Sequence, residues 1–321
     1  MRLFATVIFI ASSIYCAVPA SAADGECQSG ALDNRYCDRD RDLVADLPID
    51  QDDWLDPSVL IFSFTPVEDP AVYEQVWEGF IDHLEKTTGK RIIFFPVQSY
   101  AAQYEAMRSG RLHIGGINTG GTPVAVNCAG FVPFAMMAAE DGSYGYEMEI
   151  IVPADSDIQS PSDLQGKTLA FTSPTSNSGF KAPSAILNAE FDLVAEENFE
   201  SVYSGKHDNS ILGVSNGDYE AAAVANSVLG RMVDREVIEP SSIRSIYRSQ
   251  TFPTTAFGRA YNLHPEVAAL VEQAFFTFDW DGSELETEFA DEDRFVSIQY
   301  KSDWQVIRTI DTANGVSYDC R

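Results

Sequence analysis

Thr172-Ser-Pro-Thr-Ser-Asn-Ser-Gly-Phe-Lys-Ala-Pro183 follows the apolar, strand-like Thr168-Leu-Ala-Phe171 and precedes a helical pattern beginning near Gly179. A strand thus delivers hydroxyls, a side-chain amide and backbone N–H groups to the start of a helix. Unpaired N–H groups and the positive end of the helix dipole converge there, which suits an oxyanion.

The same alternation extends in both directions. Strands are expected at 59–64, 91–97, 112–117 and 147–152, then at 169–172, 199–203, 221–224 and 243–247. Asp69-Pro70 opens a helix with Val72, Val76, Phe80 and Leu84 on one face, and Gly89 ends it. Further helices are expected over 101–109, 179–190, 208–215, 227–235, 265–276 and 303–313. Alternating strands and helices imply an α/β fold with parallel sheets covered on both faces. A length of 321 residues suggests two lobes, with a cleft between them that buries a small ligand.

Residues 1–22 read as an export signal. Arg2 supplies the charge, the apolar core follows, and Ala20-Ser21-Ala22 is a small-residue cleavage site. Residues 23–56 read as an acidic, turn-rich extension. Cleavage leaves four cysteines, Cys27, Cys37, Cys128 and Cys320, an even count that suits disulfides in an oxidising compartment. Three pairings are open. The preferred one joins Cys27 to Cys37 in a short loop and Cys128 to Cys320, tying the C-terminus back.

The net charge of −28 argues against nucleic acid and anionic membranes as partners. It also repels anions at long range, so an anion site must rely on oriented dipoles close by. Gly166-Lys167-Thr168 mimics the end of a nucleotide-binding loop, but Pro161 stands where the earlier glycine is required. Neither a Gly-x-Ser-x-Gly elbow nor a His-Glu-x-x-His motif occurs. Asp38-Arg-Asp-Arg-Asp42, with Asp46 beyond, has the alternating acids of a calcium loop. Leu43 replaces the loop glycine and Ile49 the twelfth-position glutamate, so the segment is read as a solvated acidic loop, with calcium left open.

Several blocks, in order, resemble the phosphate/phosphite/phosphonate-binding periplasmic proteins of ABC transporters. They are Pro96-Val-Gln-Ser-Tyr100, Asn118-Thr-Gly-Gly-Thr-Pro-Val-Ala-Val-Asn127, Gly142-Ser-Tyr-Gly-Tyr146, the 155–167 segment, Ser176-Asn-Ser-Gly179, Tyr203-Ser-Gly-Lys-His-Asp208 and Gly217-Asp-Tyr-Glu-Ala-Ala222. The ending, from Arg294 to Trp304, also fits. The resemblance implies a two-lobed type II periplasmic binding protein fold with the ligand in the interlobe cleft. It implies a first lobe of 57–153 plus 251–321 and a second of 154–250.

It further implies a non-enzymatic protein that takes a small phosphorus oxyanion and docks on an ABC permease; a monomer is expected, since lobe closure needs no partner subunit, and no motif calls for a cofactor. Its ligand residues would be Tyr100, Tyr146, Ser176, Asn177, Ser178, Gly179 and His207. Thr119, Thr122, Glu220, Thr254 and Thr255 are secondary candidates. Asn177 departs from the family's usual threonine. Aminoalkylphosphonate binders carry carboxylates for the ammonium, whereas the matching positions here are Ser227 and Thr255, which disfavours 2-aminoethylphosphonate. Two alternatives stay open: an exported hydrolase using His207 and a cleft serine, and a sensory anion-binding protein.

Overall fold

The computed structural model describes residues 27–318 and Cys320. The expected export signal lies outside the described residues, and within them no helix is long and apolar enough to cross a membrane.

The strands are, in chain order, β1 (Val59–Phe64), β2 (Arg91–Phe94), β3 (Ile114–Ile117), β4 (Phe131–Ala138), β5 (Tyr146–Pro153), β6 (Thr168–Phe171), β7 (Glu200–Tyr203), β8 (Ala221–Ala225), β9 (Ile243–Phe252), β10 (Ala256–Ala260) and β11 (Arg294–Ser297). They form two sheets, ordered β11-β4-β10-β3-β1-β2 and β7-β6-β8-β5-β9.

Two expectations are corrected. The sheets are mixed rather than parallel: β10 runs antiparallel to β3 and β4, and β5 antiparallel to β8 and β9. The chain crosses between sheets through 139–145 and again through 253–255, and strands entering from a crossing run against those built by right-handed βα units. The boundary expected at 153 also moves, because β5 pairs entirely within the second sheet. That sheet is therefore continuous in sequence from Tyr146 to Phe252.

The first lobe is held by an aromatic core. Phe80 meets Phe275 with ring centroids 4.7 Å apart, Phe62 meets Trp77 at 5.0 Å, and Phe257 meets Phe295 at 5.1 Å. Each such buried ring contributes about 1.5–3 kcal/mol through the area it removes from water. The helix expected after Asp69 is broken into short turns before its main body, Glu78–Thr88, which ends at a left-handed Gly89. Asp69 itself accepts a hydrogen bond from the Ala71 amide, as its position before Pro70 leads one to expect.

The N-terminal segment coats the first lobe. Leu32 and Tyr36 are buried, and the Asp33 amide donates to the Asn127 carbonyl at 2.9 Å. Both preferred disulfides, Cys27–Cys37 and Cys128–Cys320, are formed. Helix Gln305–Ala313 packs on helix Ala182–Phe191 of the second lobe. There the buried Lys181 ammonium pairs with Asp311 at 2.6 Å and donates to the Gly120 carbonyl at 2.7 Å.

Candidate functional site

The segment 172–183 behaves as its sequence suggests, with one refinement. Before helix Ala182–Phe191 the chain makes a single π-helical turn, Asn177–Lys181. Such wide turns often mark functional positions. Ser176 caps the turn: its Oγ accepts from the Gly179 amide at 3.0 Å. The expectation that Gly179 offers its N–H to a ligand is therefore corrected, since that amide is already bonded. A Cβ there would lie 1.9 Å from Thr172 Oγ1, so glycine is required for the turn to sit on the strand end.

A cavity of about 220 Å³ lies between the sheets. Tyr100, Tyr146, Ser176, Asn177, Ser178 and His207 all line it, and so do Thr119, Thr254 and Thr255. Two secondary candidates lie elsewhere. Thr122 is buried in its own helix start, its hydroxyl bonded to the carbonyls of Ile117 and Asn118. Glu220 binds the Thr168 amide and pairs with Lys167, fastening strands rather than facing the cleft. Thr119 reaches the cavity wall, but its hydroxyl proton is taken by the Pro253 carbonyl in the second crossing, at 2.9 Å.

His207 is fixed by its backbone surroundings. Its Nδ1 accepts from the Ala225 amide at 3.1 Å, so in the neutral ring Nε2 must carry the hydrogen. Nε2 lies 3.3 Å from Ser176 Oγ. Burial lowers the ring pKa to about 4, helped by the positive Arg231 and opposed by Glu68. Near neutral pH the ring is therefore a neutral N–H donor.

This shift makes a stability prediction. Below its ordinary value of 6.5 and above about 4, the unfolded chain binds more protons at this ring than the folded one. Stability therefore rises with pH across that window. The contribution, ~3 kcal/mol, is complete above pH 6.5 and fades as pH falls toward 4. Denaturant unfolding across that range should show stability rising more steeply with pH in the native protein than in His207→Gln. Identical slopes in both would contradict the assignment.

Other donors surround the cavity. The Tyr100 hydroxyl is buried without a hydrogen-bond partner among the described residues, and burial raises its pKa well above the usual phenol value. Tyr146 accepts from Asn177 Nδ2 at 3.1 Å, and burial raises its pKa too. Both phenols stay protonated and free to donate. Arg231 also reaches the wall, but its guanidinium is paired with Glu68 at 3.1 Å and Glu288 at 3.3 Å. Around the turn, the histidine and the two phenols, the pocket thus presents neutral dipoles.

One feature was missed in the sequence. Ser227 and Thr255 do line the cavity, but Asp234, Glu288, Asp291 and Glu292 line it as well. The two uncharged positions therefore do not leave the cleft without carboxylates. These acids lie in the segment 284–292 and on helix Asn226–Asp234, where spacing alone gives no sign of the cleft. Burial pushes the Glu292 carboxyl up to about 7.

The lobes touch closely around this pocket. Asn118 Nδ2 donates to the Thr175 carbonyl at 3.0 Å, and the His207 amide donates to the Val67 carbonyl at 3.1 Å. Glu68 of the first lobe is buried against Arg231 and Arg235 of the second. Burial alone would raise the Glu68 carboxyl, but Arg231, the Tyr73 hydroxyl and Arg235 hold it below its ordinary value.

Residues 62–304 match the family model described as "ABC transporter, phosphonate, periplasmic substrate-binding protein". The chain belongs to this family. Among curated relatives it is 27% identical, over 82% of its length and 85% of theirs, to the phosphate-import protein PhnD of Mycolicibacterium smegmatis. Among solved structures, a binding-protein component of the ABC phosphonate transporter of Pseudomonas aeruginosa superposes with a TM-score of 0.72 at 22% identity. That match covers 80% of this chain and 86% of the other. PhnD1 of Prochlorococcus marinus, solved with methylphosphonate, gives a TM-score of 0.71 at 17% identity over 81% and 99% of the two chains. The substrate-binding protein is thus a periplasmic component of a transporter, and its two mixed sheets are those of its family.

Proposed function

We propose that this binding protein captures a small phosphorus oxyanion, namely phosphite, phosphate or a small alkylphosphonate, and presents it as a monomer to an ABC permease. The reading is carried by the convergence of His207 Nε2–H, the Ser176–Ser178 turn and the two phenols on one small cavity. Neutral donors suit a tetrahedral anion in a strongly acidic protein, because oriented dipoles in contact with the ligand outweigh a distant, salt-screened repulsion. The methylphosphonate held by the Prochlorococcus relative supports the same ligand class.

A hydrolase is disfavoured by the same geometry. A histidine that activates serine must accept the hydroxyl proton on the nitrogen facing it. Here that nitrogen carries a hydrogen, because the Ala225 amide occupies the other one.

Calorimetric titration with phosphite, phosphate, methylphosphonate and 2-aminoethylphosphonate tests the proposal. Saturable binding of at least one of the first three is expected, with the last weaker. Glu288 is already held by two arginines, and burial disfavours the charged form of Glu292. Preferential binding of 2-aminoethylphosphonate would show that Asp234 or Asp291 serves as the partner of its ammonium. Silence from all four would sink the ligand class.

A further inference from the structure

The acidic loop near the N-terminus is exposed at Asp40 and Asp42 but not at its first acid. Asp38 is only 5% exposed. Its Oδ1 has no hydrogen-bond partner among the described residues, while Oδ2 accepts from the Leu43 amide at 3.2 Å. Carboxylate oxygens of Asp38, Asp40 and Asp42 all lie within 4.8 Å of one another. No ion pair among the described residues reaches any of the three, since Arg39 is spent on Asp46 and the Leu47 carbonyl. Three carboxylates converge, one of them with a buried and unbonded oxygen. Left as it stands, that arrangement is costly.

We infer that this loop is a calcium site, with Asp38, Asp40 and Asp42 as side-chain ligands. The spacing matches the first, third and fifth positions of a calcium loop, and Val44 stands at the seventh, where such loops use a backbone carbonyl. Leu43 occupies the sixth position, normally glycine, and its φ of 72° is the left-handed conformation that position requires. A hard divalent cation would satisfy Asp38 Oδ1 and offset the mutual repulsion.

The site is a structural one. It follows the Cys27–Cys37 bridge, and its Arg41 carbonyl accepts from Lys301 Nζ at 2.8 Å, so the ion would pin the N-terminal segment to the first lobe. It does not face the oxyanion cavity, so its loss should not alter ligand affinity.

The test is calorimetric titration of the chelator-stripped protein with calcium chloride, paired with thermal unfolding in calcium and in EGTA. One calcium per chain is expected, with a dissociation constant of roughly 10⁻⁴ to 10⁻³ M because the twelfth-position glutamate is missing. Calcium should raise the unfolding midpoint by a few degrees, and magnesium should not. Asp40→Asn and Asp42→Asn should abolish the shift while leaving the midpoint in EGTA unchanged or higher, since each removes repulsion; both residues are exposed, so these variants should fold. An absence of saturable heat and of any shift would overturn the inference. So would a shift that survives in both variants, or one that magnesium reproduces.

Discussion

His207→Ala lowers oxyanion affinity roughly 10- to 100-fold, the loss expected when a hydrogen bond to a charged group worth about 1.5–3 kcal/mol is removed. The imidazole does two jobs, and the substitution removes both. Nε2–H is a cavity donor, and Nδ1 satisfies the buried Ala225 amide. The second loss destabilises the fold by about 1–3 kcal/mol, so binding must be measured where the variant is still native. His207→Gln supplies a control, because its carbonyl can accept from the Ala225 amide in place of Nδ1. Ser178→Ala should cost less, up to ~10-fold, since a hydroxyl makes a single weaker bond. Unchanged affinity in both alanine variants would remove the turn and the histidine from the binding site.

Gly120→Ala should have a comparable effect by a different route. Gly120 follows β3 in the first lobe, yet a Cβ on it would lie 2.5 Å from the Asn177 amide nitrogen and 2.6 Å from the Thr175 carbonyl in the second. Both atoms are backbone and cannot swing away. The added methyl is therefore a wedge that penalises only the arrangement in which the lobes meet. Overpacking of this kind costs about 1–3 kcal/mol, equivalent to a loss of up to ~100-fold in affinity when it falls wholly on the bound form. Solution scattering should find the variant more extended than the native protein in saturating ligand, with an unaltered thermal midpoint in its absence. Native affinity with native compactness would mean that the lobes need not touch at Gly120 for binding.

Much of this was legible in the sequence, for identifiable reasons. Val59–Phe64 and Pro265–Phe276 have apolar periods so regular that their bounds could be read directly. The polar turn before Ala182–Phe191 announced itself by chemistry, three hydrogen-bonding side chains between a strand and a helix. The strands β4, β10 and β11 were not recognised. Phe131–Ala138 is apolar throughout, with no alternation to distinguish it, and Ala256–Ala260 is short and broken by Gly258. The state of His207 was illegible in principle, because it depends on a backbone amide 18 residues away in sequence. The carboxylates of the cavity wall were missed for a related reason: the segment 284–292 reaches the cleft only through tertiary packing.

The position of β10 between β3 and β4 has a consequence for how the protein comes into being. Synthesis proceeds from the N-terminus at roughly 5–20 residues per second. Strands β5 to β9 arrive in one uninterrupted stretch and can pair as they appear. The earlier strands β3 and β4 must wait for residues 256–260 before either gains its shared neighbour. Phe64, Trp77 and Phe80 meanwhile lack Phe257 and Phe275, the rings that later cover them. The half of the molecule born first is the last to close, and a nascent-chain chaperone would find its longest-lived apolar target there.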